Sequence, residues 1–313
     1  MFWEEELKSP PFIVDVVKNG YKLPFVSTPP SFFARNNKSS QENQNFVTES
    51  IINLLKNKCI TETGTAPHCV NPLTVATKSK LRLVIDLRHE NKYVKQNRFK
   101  YENLKVISEI FTARDFFFTF DLKNGYHHVP IHTDFQEFLG FSWIIEGKLR
   151  FFKFLVLPFG LSSACYIFSK LMRQLVKKLR SEGIKCVMYL DDGIGGSSSA
   201  TTTALICEKM LRDLSAAGLT KNFEKSNLLP MQRGTWLGFV IDTKTMMLFI
   251  PSEKIEALLK KIQFALKSKN STARNMQKSQ VILSQCQWPL ALLQGCLPNK
   301  CMFSSNRDSR GTA

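Results

Sequence analysis

Tyr189-Leu190-Asp191-Asp192 sets two adjacent carboxylates behind the apolar run Ile184-Lys185-Cys186-Val187-Met188 and directly ahead of Gly193. A short β-rich run stopped by Asp-Asp-Gly predicts a hairpin whose tight turn carries the acids. Two like charges on a rigid support repel, and a divalent cation relieves that repulsion best. A second run, Phe118-Thr119-Phe120-Asp121-Leu122, delivers a third carboxylate where a strand ends before Lys123-Asn124-Gly125. If the two strands lie side by side, three hard oxygen ligands converge on one sheet edge, a set suited to Mg²⁺. Two such ions can activate a 3′-hydroxyl, clamp a triphosphate and neutralise the charge of an in-line displacement. A lone Asp in a turn is usually a solvated turn residue, so the surrounding motifs must decide.

The elements that would position these acids can be read from periodicity. Residues 46 to 57 carry Phe46, Ile51, Leu54 and Leu55 at helical spacing, and residues 73 to 87 turn extended, predicting a basic strand pair. Strand signals dominate from 116 to 160: residues 116 to 122, then 141 to 145 and 149 to 154 joined across Glu146-Gly147. A helix follows, opened by Ser162 or Ser163 and stopped by Gly183, with Ile167, Phe168, Leu171, Met172, Leu175 and Leu179 on one face. A second helix spans roughly 200 to 217 and ends at Gly218. Strands are expected at 235 to 241 and 246 to 250, then an amphipathic helix capped by Ser252, with Ile255, Leu258, Leu259, Ile262 and Leu266 inside. Strands interleaved with helices and no repeat imply an α+β fold, with helices packed on a largely antiparallel sheet.

The chain has 313 residues and is 43% hydrophobic, enough for one large domain or two modest ones with real cores. Lys and Arg number 43 against 26 Asp and Glu, a formal charge of +17, which points to a polyanionic partner such as nucleic acid. Eight scattered cysteines, without a Cys-x-x-Cys pair, fit a reducing intracellular compartment, cytoplasm or nucleus, better than a disulfide framework. The acidic start Met1-Phe2-Trp3-Glu4-Glu5-Glu6 lacks a secretory n-region, and Lys153 and Pro158 interrupt the most apolar stretch, so neither a signal peptide nor a membrane span is expected.

Five motifs in order, from about residue 65 to 250, resemble a reverse transcriptase of a retrotransposon. Phe120-Asp121 followed by Tyr126 is similar to the family's first catalytic motif, and Leu157-Pro158-Phe159-Gly160-Leu161-Ser162-Ser163 to its template- and nucleotide-contacting motif. Tyr189-Leu190-Asp191-Asp192 resembles the Tyr-x-Asp-Asp box. Gly218-Leu219 with Lys225, then Trp236-Leu237-Gly238-Phe239, resemble the later lysine motif and the primer-grip hairpin. The resemblance implies a right-hand polymerase fold of fingers and palm with a truncated thumb, RNA-directed DNA synthesis, two Mg²⁺ ions with Mn²⁺ as an alternative, dNTP substrates, an RNA template and a DNA or RNA primer.

By the same resemblance, Asp121 and Asp191 are the chief metal ligands, Asp192 is a weaker partner, and Lys225 protonates the pyrophosphate. Tyr126 would lie under the incoming sugar and exclude a 2′-hydroxyl. Arg82 would hold the triphosphate in a bidentate manner, helped by Lys78 or Lys80. Leu122, Phe159 and Gly160 complete the implied nucleotide pocket, with Phe159 where retrotransposon enzymes carry an aromatic. Trp236, Leu237, Gly238 and Tyr189 are the implied nucleic-acid contacts. Gly20-Tyr21-Lys22-Leu23-Pro24-Phe25 and the extension Tyr189-Leu190-Asp191-Asp192-Gly193-Ile194-Gly195-Gly196 look like DIRS-type elements.

The organisation expected is an extended lead-in over 1–45, fingers and palm over 46–250, the start of a thumb helix over 251–274, and an atypical tail over 275–313. Amphipathic spacing fades in that tail. Back-translation with chosen codons, one nucleotide earlier, yields A-K-I-A-G-H-I, as if a frameshift had replaced it. Cys165 stands where many members of the family have Pro. Two rival readings are a catalytically inactive nucleic-acid-binding remnant and a DNA-templated nucleotidyltransferase sharing the palm.

Overall fold

The computed structural model describes residues 1–77 and 80–267, so Lys78, the 275–313 tail and the side chains of Leu258, Ile262 and Leu266 lie outside what is described. The chain divides into two units, residues 1–110 with 116–230, and residues 111–115 with 231 onward. Among the described residues no helix is long and apolar enough to cross a membrane.

In chain order the first unit begins with α1 (Phe2–Glu5), α2 (Pro11–Asn19), β1 (Phe32–Phe33), α3 (Lys38–Gln41) and α4 (Gln44–Lys56). There follow β2 (Ile60–Thr63), β3 (Cys69–Asn71), the hairpin β4 (Leu73–Ala76) and β5 (Arg82–Ile85), and α5 (Leu104–Ile110). Then come β6 (Phe116–Leu122), α6 (Thr133–Gln136), the hairpin β7 (Gly140–Ile145) and β8 (Lys148–Phe154), and α7 (Ala164–Ser181). The hairpin β9 (Lys185–Tyr189) and β10 (Asp192–Ser197), α8 (Ala200–Ala216) and β11 (Lys221–Met231) complete it.

One four-stranded sheet runs β11-β6-β10-β9, with β10 antiparallel to both β6 and β9. Helices α7 and α8 cover it: Ile167, Phe168, Leu171, Leu175 and Leu179 of α7 are buried, as the 3.6-residue spacing predicts, alongside Cys207, Met210 and Leu214 of α8. A five-stranded mixed sheet, β1-β3-β7-β8-β2, and the separate β4-β5 pair form the rest. The β1-β3-β7 portion of the five-stranded sheet is parallel, which departs from the expected antiparallel pattern. The β7-β8 turn places Glu146 and Gly147 at φ +53° and +74°, the left-handed pair a two-residue hairpin demands.

The lead-in is not merely extended, which corrects the reading of residues 1–45. Trp3, Leu7, Ile13, Val16, Tyr21 and Leu23 are buried in the main core, and the Trp3 indole donates to the Ala217 carbonyl at 3.1 Å. The prolines misled: Pro10 and Pro11 occupy the N-cap and first turn of α2, where a missing N–H costs nothing.

The second unit holds a sheet β12 (Arg233–Trp236), β13 (Phe239–Asp242) and β14 (Met247–Phe249), then α9 (Ser252–Lys267). The single strand expected over 235–241 is instead a hairpin, because Leu237 (φ +48°) and Gly238 (φ +72°) turn the chain. Within α9, Ile255 and Leu259 are 43% and 51% exposed rather than inside: their spacing is amphipathic, but burial needs a covering surface as well as a stripe.

Candidate active site

The β6-β10 register places Asp121 directly opposite Asp192. Asp191 lies in the two-residue turn joining β9 to β10, and its carbonyl accepts from the Leu122 N–H at 2.9 Å, which ties the turn to the end of β6. Three carboxylates therefore meet at one end of the sheet. The turn is Leu190-Asp191 rather than Asp-Gly, with Leu190 held at φ +54°, a strained state for a branched side chain and a feature typical of functional turns. Gly193 serves packing instead: a Cβ there would fall 2.1 Å from the Phe120 ring across the ladder.

This geometry is electrostatically costly. Burial first, then the Asp121 charge, raises Asp191 above the usual carboxylate range. Burial, followed by the charges of Asp191 and Asp121, pushes Asp192 up to about 6. Like charges opposite each other in a sheet are destabilising. Asp121 is 8% exposed, and its Oδ1 has no hydrogen bond; its nearest cation is Lys225 Nζ of β11 at 3.5 Å. A buried carboxylate oxygen without a hydrogen bond, set among hard oxygen donors, is what a divalent cation satisfies, so Asp121, Asp191 and Asp192 fit Mg²⁺.

Asp121 and Asp191 open onto a cavity of about 670 Å³, lined among others by Arg82, Val84, Phe159 and Lys225. Arg82 starts β5, paired with Ala76, and its guanidinium is exposed toward this space. The opposite-charge pairs Arg82 with Asp191 and Lys225 with Asp121 make the cavity two-signed, acidic at the sheet end and basic at its walls.

Tyr126 sits on a single 3₁₀ turn (Gly125–His128) just beyond β6, half-buried, 5.1 Å from the Phe159 ring and 5.4 Å from Phe168 by ring centroids. Its hydroxyl lies 2.9 Å from Cys165 Sγ, and burial, with Cys165 next, raises its pKa well above the ordinary phenol value. The departure from Pro at 165 thus places a sulfur against this tyrosine. Gly160 is required where it stands: at φ +109°, a Cβ would fall 2.5 Å from the Ile85 carbonyl oxygen.

Asp121, Asp191, Lys225, Arg82, Leu122 and Phe159 line this one cavity. Leu122 is only 1% exposed, so its side chain packs the core. Lys80 is exposed in the bend before β5. Tyr189 is half-buried with its ring 5.0 Å from Tyr101. Trp236, Leu237 and Gly238 belong to the second unit; Trp236 is 3% exposed, so its indole is a packing group rather than a free contact, while the turn at 237–238 is held by Lys254 Nζ donating to the Gly238 carbonyl at 2.7 Å.

Sequence reasoning missed Asn91. Its Nδ2 donates to the Gly160 carbonyl at 2.8 Å, and its Oδ1 accepts from the Ser162 N–H at 2.8 Å, so one amide clamps both sides of the 160–162 loop. It also missed His127, which lines the cavity and is held neutral by burial, with its pKa at about 4. A lone Asn after His-Glu carries no local signal; only the fold brings it to the loop.

A family model described as reverse transcriptase (RNA-dependent DNA polymerase) matches residues 71–241. The retrovirus-related Pol polyprotein from transposon gypsy of Drosophila melanogaster is 29% identical over 160 residues, 51% of this chain and 15% of that polyprotein. The transposon Tf2-3 polyprotein of Schizosaccharomyces pombe is 24% identical over 219 residues, 70% of this chain and again 15% of the relative. The chain thus spans about 15% of the length of these curated relatives. Among solved structures, the foamy viral protease-reverse transcriptase in complex with dsDNA superposes with TM-score 0.67 at 21% identity, covering 89% of this chain and 57% of that one. The same enzyme in complex with an RNA/DNA hybrid gives TM-score 0.68 at 21% identity, covering 91% and 38%.

Proposed function

The chain belongs to the reverse transcriptase family, and on that premise we propose that it is the RNA-directed DNA polymerase portion of a retroelement polyprotein. The observation that carries this is Asp121 set opposite Asp192 beside the Asp191 turn, at the mouth of a cavity whose walls bear Arg82 and Lys225.

Asp121 and Asp191 are the chief ligands for Mg²⁺ or Mn²⁺, with Asp192 assisting. Bound there, the cations would supply the positive charge that activates a primer 3′-hydroxyl and offsets the negative charge of the phosphates. Arg82 holds the triphosphate, its planar fork matching two phosphate oxygens, and Lys80 adds charge at the cavity rim. Lys225, 66% exposed, keeps a proton at Nζ on the wall where a leaving pyrophosphate would take it. Tyr126 and Phe159, their rings tilted against each other, present aromatic surface to the sugar, and Tyr126 sets the penalty for a 2′-hydroxyl. The turn at 237–238 supports the primer, and the excess of basic side chains screens the template-primer duplex, so binding should weaken steeply with salt. Solved neighbours titled as complexes with dsDNA and with an RNA/DNA hybrid support a template-primer duplex as partner.

The narrower DIRS-type assignment is part of this proposal and rests on the two short strings. Within the first, Tyr21 is 2% exposed and bridges to Ile131, so the string has a packing role besides its likeness. Primer extension on poly(rA) with an oligo(dT) primer and Mg²⁺, wild type beside Asp191→Ala, tests the enzyme reading. Extension by the wild type and loss of it in the variant are expected; equal product from both would overturn the assignment. Extension on DNA templates alone would move it to a DNA-templated nucleotidyltransferase.

A further inference from the structure

We propose that Cys69, His89 and Glu90 form a second, chemically different cation site, a zinc-type structural site that knits three separate segments of the first unit. It shares no residue with the Asp121 site. Cys69 opens β3, His89 and Glu90 begin the short 3₁₀ turn after β5, and one ligand atom from each lies within 4.8 Å of the other two. Tetrahedral zinc bound by sulfur, nitrogen and oxygen has ligand-to-ligand edges of about 3.3–3.6 Å, so closing the set needs side-chain shifts on the order of 1 Å.

The case rests on unsatisfied atoms. Glu90 is 0% exposed, yet neither carboxylate oxygen has a hydrogen bond. A carboxylate in that state is strongly disfavoured unless it is paired, protonated or bound to a metal. Its neighbour Asn71, also 0% exposed, spends its Nδ2 on the carbonyls of Phe138 (3.1 Å) and Gly140 (3.2 Å), leaving Oδ1 without a donor. Two buried acceptors, the Glu90 carboxylate and Asn71 Oδ1, thus lack a hydrogen bond of normal geometry, with the Cys69 thiol and the Asn71 amide the polar groups acting on Glu90.

The surrounding geometry supports coordination. The Pro30 carbonyl oxygen is 3.7 Å from Cys69 Sγ and 3.4 Å from His89 Nε2, close to tetrahedral edges, and it is placed to act as the fourth donor. The His89 ring is fixed by stacking on Phe32, with centroids 4.1 Å apart and planes 3° from parallel. Sulfur and imidazole together with one carboxylate favour Zn²⁺ over Mg²⁺, the reverse of the all-oxygen set at Asp121. A bound ion would join the segment before β1, the start of β3 and the turn after β5. It would also fix Asn91, the next residue, which clamps the 160–162 loop.

The test uses the full chain, purified, stripped with a chelator and reloaded with Zn²⁺ alone or Co²⁺ alone. One tightly held zinc per chain is expected by elemental analysis, and the cobalt form should show a thiolate-to-metal charge-transfer band with intense tetrahedral visible bands. Cys69→Ser should abolish the charge-transfer band, and His89→Gln and Glu90→Gln should each weaken zinc in competition with a chromophoric chelator by about tenfold or more. Asp191→Asn should leave all of these unchanged. His89 is only half-buried, so His89→Gln is the variant expected to fold even if Cys69→Ser does not. A wild-type chain that holds no zinc, a cobalt spectrum without sulfur charge transfer, or a folded His89→Gln chain with undiminished zinc would overturn the proposal. A metal-free chain would leave Glu90 as a protonated acid donating to Asn71.

Discussion

Replacing Asp192 by Asn should stabilise the metal-free protein at neutral pH while impairing catalysis. In the folded chain Asp192 is pushed from 3.8 up to about 6, by burial first and by the Asp191 and Asp121 charges next. A carboxyl whose folded value lies above its unfolded one contributes its full stability only below the unfolded value. That contribution is lost as pH rises through the folded value, so the loss runs from about pH 4 to about pH 6. Two units at about 1.4 kcal/mol each give roughly 3 kcal/mol. Solvent reaches Asp192, which is intermediate in exposure, and screening halves this to about 1.5 kcal/mol. At about 2–4 °C per kcal/mol, Asp192→Asn should raise the melting temperature in EDTA by roughly 3–6 °C at pH 8 and by about 1 °C or less at pH 4. Saturating Mg²⁺ should shrink the difference at pH 8, since the wild-type charge then has a partner. Thermal unfolding at both pH values, with EDTA and with Mg²⁺, makes the measurement. A lower melting temperature for the variant in EDTA at pH 8, or equal shifts at pH 4 and pH 8, would refute the electrostatic account of the site.

Asn91→Ala removes both bonds to the 160–162 loop and should cost about 1–2 kcal/mol of stability by urea titration and raise the KM for dNTP several-fold. Gly193→Ala forces a Cβ into the Phe120 ring and should destabilise by about 2 kcal/mol or more, or leave the chain insoluble, whereas Gly147→Ala has open space but a strained φ of +74° and should cost about 1 kcal/mol. Tyr126→Ala should raise rNTP incorporation relative to dNTP at least tenfold on the barrier scale of about 1.4 kcal/mol; unchanged selectivity would remove Tyr126 from the sugar-contacting role. Arg82→Lys keeps the charge but loses the fork, so KM for dNTP should rise with little change in the melting temperature.

What the sequence disclosed follows from where its signals are local. Strands with a period of two and helices with a period of 3.6 announce themselves over a few residues, so β6, the β7-β8 and β9-β10 hairpins, α4, α7 and α8 lie where the pattern puts them. The acids were legible for the same reason: each lies at or beside a strand end next to a turn, which is visible in one dimension. Their cost was not, because the rise at Asp192 comes from burial first and then from the Asp191 and Asp121 charges, and Asp121 lies 71 residues earlier in sequence but opposite in register. Proline was read as a breaker at 10 and 11, although in the first turn it starts a helix, and whether it breaks or starts depends on which carbonyl the next N–H finds. The 235–241 stretch looked continuous because Thr235, Trp236, Phe239, Val240 and Ile241 all favour strands; the φ of +48° at Leu237 is imposed by the pairing of Trp236 with Phe239, not by its own preference. Asn91 and the Cys69, His89 and Glu90 group are the extreme case. Their partners are 20 to 71 residues away, so no local pattern could mark them, and they emerge only when buried polar atoms are counted against available donors.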